Sequence, residues 1–207
     1  TPSPANIPSS ALPAANTRSR TDDSISSGAT ARPAPPALAS AAVPVVPNAR
    51  VEEKISNAEQ GVTVSLTIPE TTEAYSPTTI ALTQAASEAT SVAGITFTTS
   101  SSTQSVTISV SKLDALPANA PSINNANVIA ILEITSTARR VTTTATITFS
   151  VDASGVNLKT GSIVLLHLQN GKWVELPTRF ASRNGDKLFF KAETKSFSPF
   201  AIAFKNT

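Results

Sequence analysis

The only histidine of the chain is the first residue to consider for acid–base chemistry. His167 lies in the run VLLHLQ, where alternation puts it in the opposite phase to Val164, Leu166 and Leu168. A catalytic serine needs an imidazole that is held by a carboxylate and faces the hydroxyl. The sequence contains no Gly-x-Ser-x-Gly turn to carry such a serine. We therefore expect His167 to be a surface or half-buried strand residue, and the protein not to be an enzyme.

Metal-ligating residues are as sparse as catalytic ones. With one histidine and no cysteine, the chain lacks the usual ligands of zinc. A structural calcium site is harder to exclude, because carboxylates are available at residues 22–23, at residues 52–53 and at Asp152. The sequence has no Asp-x-Asp-x-Asp-Gly loop that would mark such a site. The 14 acidic residues are scattered, and no two of them are marked as the carboxylate pair of a glycosidase. We expect no cofactor and no resident metal.

Two further features have a structural and a functional interpretation. Trp173 follows an Asn-Gly turn signal and precedes apolar residues at alternate positions, so we expect it to pack on a sheet rather than to stack on a sugar. Arg139 and Arg140 form the one adjacent basic pair, which we assign to a solvated loop or strand end.

Charge and hydrophobicity exclude two classes of partner. A net charge of +2, with 14% charged residues, is too little to hold a phosphate backbone by counterion release. No run reaches the roughly 18–20 apolar residues that a membrane-spanning helix needs. We expect neither a nucleic-acid partner nor a membrane span.

Residues 51–207 have the pattern of an all-β domain. Asn170-Gly171 and Asn184-Gly185 are hairpin signals between alternating runs. Roughly eight to ten short strands predict an antiparallel β-sandwich, either immunoglobulin-like or jelly-roll-like. Residues 79–90 suit a short helix or a loop, and residues 51–60 a helical turn or a strand. The predicted strands are 62–68, 95–97, 106–110, 128–134, 144–151, 163–168, 172–176, 179–182, 187–191 and 197–204.

The same runs predict most of the buried large side chains, because each of the residues below sits in a strand-like run. The expected core residues are Val64, Leu66, Ile108, Val110, Ile129, Ile131, Ile147, Phe149, Leu165, Trp173 and Phe200.

Residues 1–50 differ in composition and form a predicted Pro-rich, extended N-terminal tail. They hold nine of the 15 prolines and few large apolar side chains, so the tail cannot bury enough surface to offset its own ordering entropy. The chain begins at Thr1 and contains no methionine, which is typical of a terminus processed by signal-peptide removal. A secreted chain without cysteine has no disulfides, so we expect packing or assembly to stabilise it.

Four segments of the predicted domain carry a family resemblance: residues 145–151 (ATITFSV), 171–178 (GKWVELPT), 189–194 (FFKAET) and 196–202 (SFSPFAI). Together they resemble the PGF-pre-PGF domain, a module of archaeal cell-surface proteins. Where the family has Thr-Pro-Gly before its final motif, this chain has Thr-Lys-Ser at 194–196. The resemblance covers roughly residues 50–207. It implies an archaeal source, a secreted location at the cell surface and a β-sandwich without known catalytic residues.

These observations favour a structural subunit of an extracellular archaeal filament, pilus-like or thread-like. In donor-strand complementation, the N-terminal segment of one copy completes a sheet of the next, giving a head-to-tail homopolymer. The alternative is a surface-layer-associated or adhesion module that binds a protein or glycan. A donor segment must be extended and free of internal proline. The predicted donor residues are Ala37, Leu38, Ala39, Ala41, Val43 and Val45, with the segment around Ile25 as second choice.

Overall fold

The described part of the chain, residues 52–58, 61–140 and 142–206 of a computed structural model, consists of twelve strands, one α-helix and one 3₁₀ turn. The predicted tail, including every predicted donor residue and Asp22 and Asp23, lies outside the described residues. The elements are β1 (Glu52–Ala58), β2 (Gly61–Ile68), β3 (Thr78–Ala81), α1 (Gln84–Thr90), β4 (Val92–Thr99), β5 (Val106–Leu113), β6 (Asn127–Ser136), β7 (Thr142–Asp152), the 3₁₀ turn (Ala153–Gly155), β8 (Gly161–Gln169), β9 (Lys172–Leu176), β10 (Thr178–Asn184), β11 (Lys187–Thr194) and β12 (Pro199–Asn206).

The strands form two antiparallel sheets that pack as a sandwich, which confirms the predicted fold class. The seven-stranded sheet has the order β1-β2-β5-β6-β12-β8-β9, and the five-stranded sheet the order β10-β11-β7-β4-β3. Among the described strands, the sheet edges are therefore β1 and β9 in one sheet, and β10 and β3 in the other. An edge strand has backbone N–H and C=O groups on one side that no neighbour satisfies.

Local sequence signals explain several of these elements. Residues 51–60 supply β1, and residues 79–90 divide between β3 and the short helix α1. The helix begins after Thr83, whose Oγ1 accepts a hydrogen bond from the backbone of Ala86. It ends at Ser91, which has a positive φ of 65°. The structure thus has two strands beyond the ten predicted ranges: β1, where a helical turn was the other possibility, and the four-residue β3, which is too short to show an alternating pattern.

Both predicted hairpins are present, and one of them differs in detail. Asn170 and Gly171 join β8 to β9 with φ angles of 49° and 72°, which are the two positive values that a type I′ turn requires. In the hairpin between β10 and β11, Asn184 still pairs with Lys187 in the ladder. Its two-residue loop is therefore one position later than predicted.

The main core lies between the sheets and contains eight of the eleven predicted core residues. The prediction was wrong for β6, where Ile129 is 40% exposed and Ile131 is half-buried. The buried residues of this strand are Ala130, Leu132 and Ile134. Because β6 carries large apolar residues on both faces, its hydrophobicity did not reveal which face points inward.

A second, smaller apolar cluster covers part of the outer face of the seven-stranded sheet. The indole Nε1 of Trp173 donates a hydrogen bond of 2.8 Å to the carbonyl of Pro121, in the loop between β5 and β6. Trp173 therefore packs on the sheet as predicted, although it is half-buried and outside the main core. The cluster consists of Val164, Leu166, Ala201 and Ala203, with Ile123, Ala126 and Trp173 packed against them.

Candidate functional site

The chain passes from one sheet to the other within a single residue, Pro177. β9 ends at Leu176 as an edge of the seven-stranded sheet, and β10 begins at Thr178 as an edge of the five-stranded sheet. Proline lacks an N–H group, so it suits a point where the ladder is interrupted. Thr178 secures the corner, because its Oγ1 accepts from the backbone N–H of Leu165 at 3.1 Å and donates to the carbonyl of Leu176 at 2.9 Å.

This crossover leaves a gap in the five-stranded sheet. The pairing of β10 with β11 starts at Thr178 and Ala192, but β11 continues to Thr194. Within the described residues, Glu193 and Thr194 therefore have no neighbouring strand on the β10 side. A pocket of about 850 Å³ opens at this place, between the ends of β7 and β11 on one side and of β8 and β9 on the other. We call it the crossover notch and define it by Val174, Leu176, Pro177, Glu193, Thr194 and Lys195.

The floor of the crossover notch is apolar. Val174 pairs with His167 across the β8–β9 ladder, and cross-strand partners point to the same face of a sheet. His167 is fully buried between the sheets, so Val174 also points inward, yet it is 41% exposed. Leu176, two residues along the same face, is 8% exposed. An inward-facing valine is uncovered here because the opposite sheet ends at the notch.

The rim of the notch carries charges of both signs. The guanidinium of Arg179 donates to the Glu193 carboxylate across the β10–β11 pair. Lys205 forms an ion pair of 2.9 Å with Glu175. Lys195 also lines the opening. Since exposed pairs of this kind contribute little stability, their main effect is to give the rim no strong net charge.

His167 occupies a different environment from the one predicted, because it is completely buried. Its ring stacks on Phe200 with centroids 4.3 Å apart and an interplanar angle of 16°. Both faces of β8 are buried, because Leu165 lies in the main core and Leu166 in the second apolar cluster, on the outer face of the seven-stranded sheet. The prediction that His167 is a surface or half-buried residue was therefore wrong, because it took the face opposite to Val164, Leu166 and Leu168 to be exposed.

The hydrogen bonds of His167 fix its chemical state. Its Nδ1 accepts from the Gln169 side-chain amide at 2.6 Å and lies 3.3 Å from the Thr194 hydroxyl. Burial lowers the pKa of His167 from 6.5 to about 4, so the ring is neutral at neutral pH. A neutral ring that accepts at Nδ1 carries its proton on Nε2, and that nitrogen is buried without a hydrogen-bond partner in the described part of the chain. The partners of Nδ1 are an amide and a hydroxyl, whereas a catalytic imidazole is oriented by a carboxylate.

The carboxylates considered for calcium have other roles where they are described. Glu53 accepts from the backbone N–H and the hydroxyl of Thr83, at 3.1 Å and 2.6 Å, at the start of α1. Asp152 forms an ion pair of 2.8 Å with Lys187. No group of three or more His, Cys, Asp or Glu side chains close enough to hold a metal occurs among the described residues. Nor does that part of the chain contain a helix long and apolar enough to cross a membrane.

Two other edge strands also have an inward-facing apolar residue that is substantially exposed. Ile55 of β1 pairs with buried Val64 and is 44% exposed. Phe180 of β10 pairs with buried Phe190 and is 55% exposed. Sequence reasoning missed all three exposed edge positions, because the order of the strands decides which of them lie at an edge.

Comparison with protein-family models found no match for this chain, and comparison with curated proteins found no significant relative. The resemblance to the PGF-pre-PGF domain therefore stays a prediction.

Proposed function

We propose that the protein is a structural subunit of an extracellular filament, in which the N-terminal segment of one copy adds a strand to the sandwich of the next. The observation that carries this proposal is the position of β1. Among the described strands β1 pairs with β2 alone, so the 51 residues before Glu52 join the domain at a sheet edge. A segment leaving from an edge is well placed to reach a neighbouring copy.

The composition of the tail supports the same proposal. Its donor segment, residues 37–43, lies between Pro36 and Pro44 and contains no proline itself, as pairing in a ladder requires.

The mode of contact determines the kind of assembly. An added strand gains backbone hydrogen bonds from an edge, and its alternate side chains enter the acceptor. Donor and acceptor are different surfaces of one chain, so the contact is head-to-tail and propagates into a fibre. The extracellular, archaeal setting rests on the resemblance of residues 50–207 to the PGF-pre-PGF domain.

The crossover notch also favours a second candidate, an adhesion or surface-layer module that binds a protein or glycan. A pocket of about 850 Å³ with an apolar floor and a polar rim is within the size range of ligand-binding clefts. Such a module would bind its partner without polymerising.

The test compares the full chain with two deletions. Removal of residues 1–45 deletes every predicted donor residue, whereas removal of residues 1–20 retains residues 37–43 and serves as the matched control. Negative-stain microscopy and light scattering report assembly, and circular dichroism reports folding. We expect filaments from the full chain and from the control, and a folded monomer from the longer deletion. Filaments formed without residues 1–45, or a full chain that stays monomeric at high concentration, would refute the proposal.

A further inference from the structure

We propose that the crossover notch is the acceptor for residues 37–43 of another copy of this chain, which enter as an extra strand beside the end of β11. This inference rests on the proposed filament function and adds where the donor binds. Of the exposed inward-facing residues at the sheet edges, Val174 alone lines this pocket.

The backbone of the notch suits an added strand. β11 extends through Glu193 and Thr194 beyond its pairing with β10. An incoming strand that lies beside Glu193 and Thr194, next to the N-terminal end of β10, would extend the line of β10 and pair with this part of β11. Backbone pairing of this kind supplies affinity without requiring particular side chains.

The side chains of the donor match the floor of the notch. Residues 37–43 read ALASAAV and contain no charged residue, so the donor itself carries no charge onto the apolar floor. In an extended segment Ala37, Ala39, Ala41 and Val43 share one face. We place this uninterrupted apolar face inward, on Val174 and Leu176, and the face with Leu38, Ser40 and Ala42 outward.

The distance across the sheet favours a donor from another copy. β1 and β9 are the opposite edges of the seven-stranded sheet and are separated by six strand spacings, or about 29 Å along the sheet, and the row of Val174 reaches β1 at Asn57, five residues beyond Glu52. Val43 precedes Glu52 by nine residues, which reach at most about 30–32 Å when fully extended. Insertion into its own notch would require this linker, with Pro44 and Pro47, to be almost completely stretched. Insertion into a neighbour does not have that constraint.

The natural absence of cysteine allows a direct test by disulfide trapping. Val174→Cys is combined in turn with Ala39→Cys, Ala41→Cys and Val43→Cys in the full chain, and assembled material is oxidised. We expect at least one pair to give a ladder of covalent oligomers on a non-reducing gel, which collapses to a single band on reduction. Circular dichroism checks that each variant is folded.

Matched controls carry the acceptor cysteine at the other exposed edge positions. Ile55→Cys and Phe180→Cys, each with the same three donor cysteines, should give no ladder. A ladder with either control in place of Val174→Cys would assign the donor to another groove, which overturns this inference and leaves the filament function intact. Disulfides confined to monomers would overturn insertion between copies. Filaments without any of these disulfides would also overturn the notch as acceptor.

A charge substitution provides a second, non-covalent measurement. Val174→Lys in the full chain should abolish filaments seen by microscopy, while Ile55→Lys should leave them unchanged. If both variants polymerise like the original chain, the notch is not the acceptor. If the unsubstituted full chain forms no filaments at all, the proposed function fails as well.

Discussion

Replacing His167 with phenylalanine should remove a defined part of the protein's sensitivity to mild acid. The imidazole is fully buried and stacked on Phe200, so burial penalises the charged form of the ring. A phenyl ring keeps the stacking but cannot take up a proton. The substitution also removes the hydrogen bond from Gln169, which lowers stability by a similar amount at every pH.

The sign and size of the effect follow from the pKa of His167. Burial lowers it from 6.5 to about 4, so between these values the unfolded chain binds more protons than the folded one. The free energy of unfolding therefore falls as the pH drops through this window. For a single group with this shift, the loss between pH 7 and pH 5 is about 2 kcal/mol. It approaches about 3 kcal/mol below pH 4.

The assay is denaturant unfolding of both proteins at pH 7 and pH 5. We expect the original chain to lose about 2 kcal/mol more than His167→Phe between the two conditions. Leu165→Ala, a buried neighbour without a titrating group, is the matched control and should keep the full pH dependence. An equal pH dependence in the original chain and His167→Phe would refute the reasoning from burial. Under the proposed function, His167→Ala should still assemble wherever the variant remains folded, because strand addition needs no acid–base chemistry from the ring.

Further substitutions test the core and the crossover. Phe149→Ala should lower the free energy of unfolding by about 3–5 kcal/mol. Ile129→Ala, at an exposed position of β6, should lower it by less than about 1 kcal/mol. Equal losses in the two variants would contradict the observed orientation of β6. Thr178→Val should cost about 1–3 kcal/mol, because it leaves the buried backbone N–H of Leu165 without its partner. Thr178→Ser retains the hydroxyl and should leave the free energy of unfolding nearly unchanged. If Thr178→Ser and Thr178→Val lose the same amount, the hydrogen bond is not the cause.

The sequence alone determined the fold class and much of the core. Residues 62–68 and 144–151 alternate strictly, so one face of β2 and of β7 was assigned correctly. The Asn170-Gly171 hairpin was equally accessible, because the backbone angles of a type I′ turn depend on the two residues in it. Each of these features depends on residues close together in the chain, so the sequence pattern is enough to predict it.

Only the tertiary structure decided which face of β6 and β8 points inward. Both strands have apolar residues on each side, and an alternating pattern gives a direction only when one side is polar. The exposed Glu133 was the one signal that marked the outer face of β6. On β8 the predicted core residue Leu165 does point inward, but the second apolar cluster beneath Trp173 covers the opposite face as well, so alternation did not place His167.

The candidate site depends still more on long-range structure. Pro177 indicated an interruption, but not that the strands on its two sides belong to different sheets. The crossover notch exists because β10 and β11 pair from Thr178 and Ala192 onward, while β9 remains with β8. Strand order and register come from contacts between residues far apart in the chain, so no local pattern encodes them. The sequence therefore determined where strands form, and packing between the sheets decided where an edge is left open.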